Sequence, residues 1–97
     1  MFRHVVMFRW SDGVDEAHVA AVARRLDALP AAIPELRSYR HGADAGVNEG
    51  NFDYVVVADF DAPDDYITYR DHPVHTAVIA EMIAGRVDDR AAVQYHC

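Results

Sequence analysis

Two segments of this chain are apolar on both sides of a strand at their centres, and that restricts the folds open to it. In Phe2 to Trp10, Phe2, His4, Val6, Phe8 and Trp10 fall on one face and Arg3, Val5, Met7 and Arg9 on the other. In Phe52 to Phe60 the faces are Phe52, Tyr54, Val56, Ala58 and Phe60 against Asp53, Val55, Val57 and Asp59. Alternation at period two specifies a strand, and a sheet with one wet face would carry polar residues where Val5, Met7, Val55 and Val57 stand. Both faces of the sheet must therefore be covered. A chain of 97 residues forms one domain, and its small size leaves stability marginal unless something adds buried area. A second copy of the same chain is the expected source, with Val5, Met7, Val55 and Val57 at the interface.

The remaining elements follow from local signals. Ser11 or Asp12 is expected to cap a helix whose apolar stripe is Val19, Val22, Leu26 and Leu29, ended by Pro30. Leu36 to Ala45 reads as a weaker strand, joined through the Gly- and Asn-rich stretch 46–51 to the strand beginning at Phe52. Asp61 is expected to cap a helix from Ala62 to Asp71. Pro73 disfavours helical angles at His72, so a separate helix from Pro73 to Ala84 follows, with Gly85 as its C-cap and Ala91 to His96 as the last strand. The order β-α-β-β-α(α)-β predicts an α+β, ferredoxin-like subunit spanning residues 1–97.

Composition excludes several functions. Nine positive residues against sixteen acidic ones give a net charge of -7, the wrong balance for a nucleic acid partner. All nine positive residues are Arg, so no lysine Schiff base or lysine general base is available. Cys97 is the lone cysteine, which rules out an intrachain disulfide. No signal peptide or membrane-spanning run is legible, so the expected location is cytoplasmic, with no membrane partner. His72 and His75 flank Pro73 without a metal signature, and no motif implies a cofactor or metal. Ser11 and Ser38 lack a nucleophile context, which leaves His and Tyr for any chemistry.

Those residues concentrate in Tyr66-Ile67-Thr68-Tyr69-Arg70-Asp71-His72-Pro73-Val74-His75, where two tyrosines and two histidines surround a proline break. Such groups can move protons near neutral pH, or they can simply pack and cap. His4, on the helix-facing side of the first strand, is a second candidate, and Tyr54 shares the parity that could bring it near. A small-molecule pocket between sheet and helices would draw on Phe8, Trp10, Tyr54, Phe60 and Tyr69.

Three segments carry a resemblance over essentially the whole chain: Arg3-His4-Val5-Val6-Met7-Phe8, Glu49-Gly50-Asn51-Phe52-Asp53 and Asp71-His72-Pro73-Val74-His75. On these the chain resembles the stress-responsive dimeric A/B-barrel family. The resemblance implies a homodimer whose two sheets pack face to face, closing an α/β barrel. It is similar, more distantly, to the plant polyketide cyclases of that family. Their catalytic tyrosine and histidine fall on Tyr69 and His75, and a strand-one pocket histidine falls on His4. The resemblance implies His75 as the base alpha to a carbonyl and Tyr69 as the hydrogen-bond donor to the oxyanion. Further pocket positions fall on Phe8, Ala23, Leu26, Tyr54, Val56 and Gln94. Ala23, Leu26, Tyr54 and Gln94 replace the cyclases' phenylalanine, tyrosine, histidine and carboxylate. Three readings stay open: a binder of a small apolar or polyketide-like ligand, a cyclase-like lyase or isomerase, and a non-catalytic stress-related assembly.

Overall fold

The computed structural model describes all 97 residues. The elements run β1 (Phe2–Trp10), α1 (Glu16–Asp27), α2 (Leu29–Ala32), β2 (Ser38–Ala43), β3 (Tyr54–Phe60), α3 (Pro63–Asp71), α4 (Pro73–Val78) and β4 (Val87–His96). A π-helical turn, Ile79–Ile83, extends α4. The sheet has four strands in the order β2-β3-β1-β4, every neighbouring pair antiparallel. The two segments that are apolar on both faces are thus the two central strands, and the fold is ferredoxin-like.

One face of the sheet is sealed by its own helices. Phe2, His4, Val6 and Phe8 of β1 and Tyr54, Val56, Ala58 and Phe60 of β3 are all buried. Val22 and Leu26 of α1, Leu29 of α2, Tyr69 of α3, Val78 of α4 and Ile83 of the π turn share the same core. Each fully buried aliphatic or aromatic side chain contributes about 1.5–3 kcal/mol of transfer free energy.

No helix covers the other face. There Val5 lies between Val57 and Val93, and Met7 between Val55 and Ala91. Val5, Met7, Val55 and Val57 are only half-buried, while Val93 remains 62% exposed and Tyr95 43%. Arg3 closes one end of this strip, donating from Nε and one terminal nitrogen to the two Asp59 carboxylate oxygens at 2.7 and 2.9 Å.

Several boundaries differ from the sequence expectation. The cap of α1 is Asp15, whose carboxylate accepts from the His18 backbone N–H at 2.8 Å, so neither Ser11 nor Asp12 serves. That helix stops at Asp27, and Pro30 sits in the first turn of α2, where its missing N–H costs nothing. Ala62 rather than Asp61 is the N-cap of α3. β3 begins at Tyr54 instead of Phe52, because Asp53 turns its carboxylate onto the Trp10 backbone N–H at 2.8 Å. β2 is shorter than 36–45, and β4 starts at Val87, ahead of the expected Ala91. The break at Pro73 is where it was expected: His72 is extended and its Nδ1 accepts from the Val74 N–H at 3.1 Å. Gly85, at φ +76°, supplies the left-handed residue that releases the chain into β4. No helix is long and apolar enough to cross a membrane.

Candidate active site between sheet and helices

The helices do not fill the space above the sheet completely. A cavity of about 290 Å³ remains, floored by His4, Val6 and Phe8 of β1 and Val56 of β3. Leu26, Tyr39, Tyr66, Tyr69 and His75 form its walls. Ile79 and Ile83 of the π turn close the far side, and Arg70 and Arg90 bring the only formal charges to the lining.

His75 is held by the proline break. Because α3 ends at Asp71, the Arg70 carbonyl is free of a helical partner there and lies 2.9 Å from His75 Nδ1. A carbonyl oxygen can only accept, so Nδ1 carries the proton and the neutral ring presents its lone pair at Nε2. Nε2 has no partner in the chain, yet no buried side-chain nitrogen or oxygen is left unpaired, so this atom is accessible. Burial lowers the His75 pKa, against a smaller opposing effect from the Arg70 carbonyl, and keeps the ring neutral at physiological pH.

Tyr69 packs on that ring, with centroids 4.2 Å apart. Its hydroxyl shares a hydrogen bond of 3.0 Å with the hydroxyl of Tyr39, from β2. Burial pushes the Tyr69 phenol up to about 12 and that of Tyr39 further still, so both stay protonated at neutral pH. Two phenols in one hydrogen bond use one proton between them, which leaves the other O–H available to a ligand.

His4 is buried, 4% exposed, with its ring 4.7 Å from that of Tyr66. The Gln94 side-chain amide donates to His4 Nδ1 at 3.0 Å. Burial first, then the positive charge of Arg90 and the charge His75 takes on when protonated, lower the His4 pKa to about 4. His4 is therefore an uncharged polar group in the cavity floor.

Of the sequence-selected residues, His4, Phe8, Leu26, Val56, Tyr69 and His75 meet around this one cavity. Tyr54, Ala23 and Gln94 are not part of its lining. Ala23 and Tyr54 instead border an open groove of about 580 Å³ beside Trp10 and His41. Gln94 stands behind His4 on the exposed edge strand, and Phe60 is fully buried in the core. Tyr54 does not meet His4 either, because it pairs with Phe8 while His4 pairs with Ala58. Its hydroxyl lies 2.7 Å from His41 Nδ1, and His41 Nε2 lies 2.6 Å from Asp27. Nowhere do enough His, Cys, Asp and Glu side chains gather to hold a metal ion.

Sequence reasoning passed over Tyr39, Ile79, Ile83 and Arg90, and it noted Tyr66 and Arg70 only as members of the segment around Pro73. Tyr39 and His41 alternate within β2 and face the helices, a signal that the short, polar strand made faint. Tyr66 and Tyr69 are three apart on one helix, a spacing that places both on the sheet-facing side.

Comparison with known proteins agrees with this architecture. The stress responsive A/B barrel domain, Dabb, matches residues 2–97. An uncharacterized protein of Streptomyces coelicolor is 32% identical over 82 residues, 82% of this chain and 84% of its own length. A Thermobifida fusca structure, described as a dimeric ferredoxin-like protein of unknown function, is 48% identical with a TM-score of 0.92, over 99% of this chain and 90% of that one. A dimeric protein of ferredoxin-like fold and unknown function from Bacteroides fragilis is 29% identical with a TM-score of 0.82, over 99% and 95% of the two chains. With a match from the second residue to the last and the same four-stranded fold, this chain belongs to the stress responsive A/B barrel domain family.

Proposed function

We propose that the protein is a homodimer, joined through the uncovered sheet face, and that each subunit binds a small, largely apolar, carbonyl-bearing molecule between sheet and helices. The observation that carries the binding reading is the accessible His75 Nε2 lone pair beside the Tyr69 phenol, in a cavity otherwise walled mainly by apolar side chains. A ligand carbonyl would accept from the free phenol proton, and its hydrocarbon part would lie over Val6, Phe8, Val56 and Ile79. The dimer reading draws support from the valine strip on the open face and from the description of the Thermobifida fusca and Bacteroides fragilis proteins as dimeric.

The fixed tautomer of His75 favours a second reading, in which the bound molecule reacts. Nε2 would take a proton from the carbon alpha to the carbonyl. The electron pair left behind would move onto the carbonyl oxygen, where the Tyr69 O–H stabilises it. Attack of that enolate on a second carbonyl of the same chain would form the carbon–carbon bond of an aldol-type cyclisation, with the proton returned from His75. His4, neutral and next in the cavity floor, would assist by hydrogen bonding.

Linear polyketide or β-dicarbonyl substrates test both readings. Turnover is expected to fall about 100-fold or more in His75→Ala, while ligand-induced NMR shifts in the cavity persist. Equal rates in the two proteins would remove His75 as the base, and absence of shifts in both would remove the cavity as a binding site. A non-catalytic assembly would show itself as particles larger than a dimer in sedimentation, with no ligand effect.

A further inference from the structure

The charge balance of the cavity narrows what it can hold. Its histidines are neutral and the phenols of Tyr69 and Tyr39 protonated at physiological pH, for the reasons of burial given above. Arg70 is committed to Asp71, with Nε and a terminal nitrogen donating to the two carboxylate oxygens at 2.8 and 3.1 Å. Arg90 has no such partner. Its backbone N–H donates to the Asp89 carboxylate at 2.9 Å, and its guanidinium makes neither a salt bridge nor a hydrogen bond in the chain. Asp88, two residues back on the same strand, is turned to the Ser11 hydroxyl at 2.7 Å.

The placement of this group is specific. Arg90 pairs with Phe8 across β1 and β4, so it stands on the helix-facing side of the sheet, in the row next to the cavity floor. It is itself exposed, on an edge strand whose helix-facing Ala92 and Gln94 are also exposed. This is the open rim of the cavity. Arg90 is itself part of the cavity lining, together with His4, Phe8 and His75. In a chain of net charge -7, a guanidinium without an ion-pair partner at the rim offers an anion a local counter-charge.

We propose that Arg90 makes this cavity selective for ligands that carry a carboxylate, held at the rim by the guanidinium with the apolar part inside. The assignment rests on the reading of the cavity as a ligand site. It gives the ligand a direction: carboxylate outward at Arg90, apolar body over Phe8 and Val56, and any second polar group inward toward His75 and Tyr69. A planar guanidinium can hold a carboxylate through two parallel hydrogen bonds, which a neutral amide of the same shape cannot match.

The test uses 3-phenylpropanoate and its neutral isostere 3-phenylpropanamide as probes at pH 7.5, with affinities from calorimetry and location from NMR shifts of Tyr69 and His75. The carboxylate is expected to bind the wild-type protein roughly ten- to a hundredfold more tightly than the amide. In Arg90→Gln that preference should vanish, the carboxylate binding no more tightly than the amide. Arg24→Gln, which removes an exposed arginine of α1 and the same net charge, should keep the preference. Loss of the preference in Arg24→Gln, its survival in Arg90→Gln, or its absence in the wild type while both probes bind would each overturn the role of Arg90 and leave the cavity reading standing. If neither probe shifts Tyr69 or His75, the cavity reading and the Arg90 assignment fall together.

Discussion

His4 shows how one side chain couples the site to stability. Its folded-state pKa of about 4 lies below the ordinary 6.5, so the unfolded chain binds the extra proton more readily than the folded one. The stability this contributes is complete above pH 6.5 and is lost as pH falls toward 4. Gln at this position would not titrate. The stability difference between wild type and His4→Gln, from urea denaturation at pH 7.5 and 4.5, should therefore shift toward the variant by on the order of 2 kcal/mol at the lower pH. A difference independent of pH would mean that His4 is as well solvated folded as unfolded. His75 and Tyr69 were legible beforehand through the motif around Pro73. Tyr39, which shares the Tyr69 hydrogen bond, was not, because that contact joins residues thirty apart on a strand and a helix.

At the scale of elements, the caps and breaks decide where the site residues stand. Pro73 ends one helix and opens the next, and the freed Arg70 carbonyl at that joint is what orients the His75 ring. The π turn then places Ile79 and Ile83 against the same cavity, an arrangement that regular helical spacing did not foreshadow. At the start of α1 the sequence offered Ser11 and Asp12 as caps, yet Asp15 takes the role because the helix begins a turn later. Asp15→Ala should lower unfolding free energy by about 1 kcal/mol, and Asp12→Ala by no more than a few tenths, in urea titrations monitored by circular dichroism. Equal effects would return the cap to the earlier residue.

For the whole molecule the main question is what covers the second face of the sheet. Val57, Val5 and Val93 form a row across three strands, next to Met7, Val55 and Ala91, with the Arg3–Asp59 pair at one end. An aspartate at Val57 would face a like apolar strip from the partner and would have to be desolvated there, a cost that its exposed cross-strand neighbour Arg40 offsets only in part. Val57→Asp is therefore expected to sediment as a folded monomer where the wild type sediments as a dimer. A dimer of unchanged mass would place the interface elsewhere.

Period-two alternation in Phe2 to Trp10 and Phe52 to Phe60, and the proline and glycine breaks between elements, were enough for the ferredoxin-like order and for the uncovered sheet face. These are local properties: a strand or a helix break is written in neighbouring residues, and so is the face on which each side chain falls. The cavity was not available in that way. Its volume, the lone pair of His75, the shared proton of Tyr39 and Tyr69, the diversion of Tyr54 to His41 and the unpartnered Arg90 depend on distances between side chains far apart in the chain. Periodicity assigns a residue to a face but not to a neighbour, and only the packing of helices on the sheet sets which groups meet and which remain free.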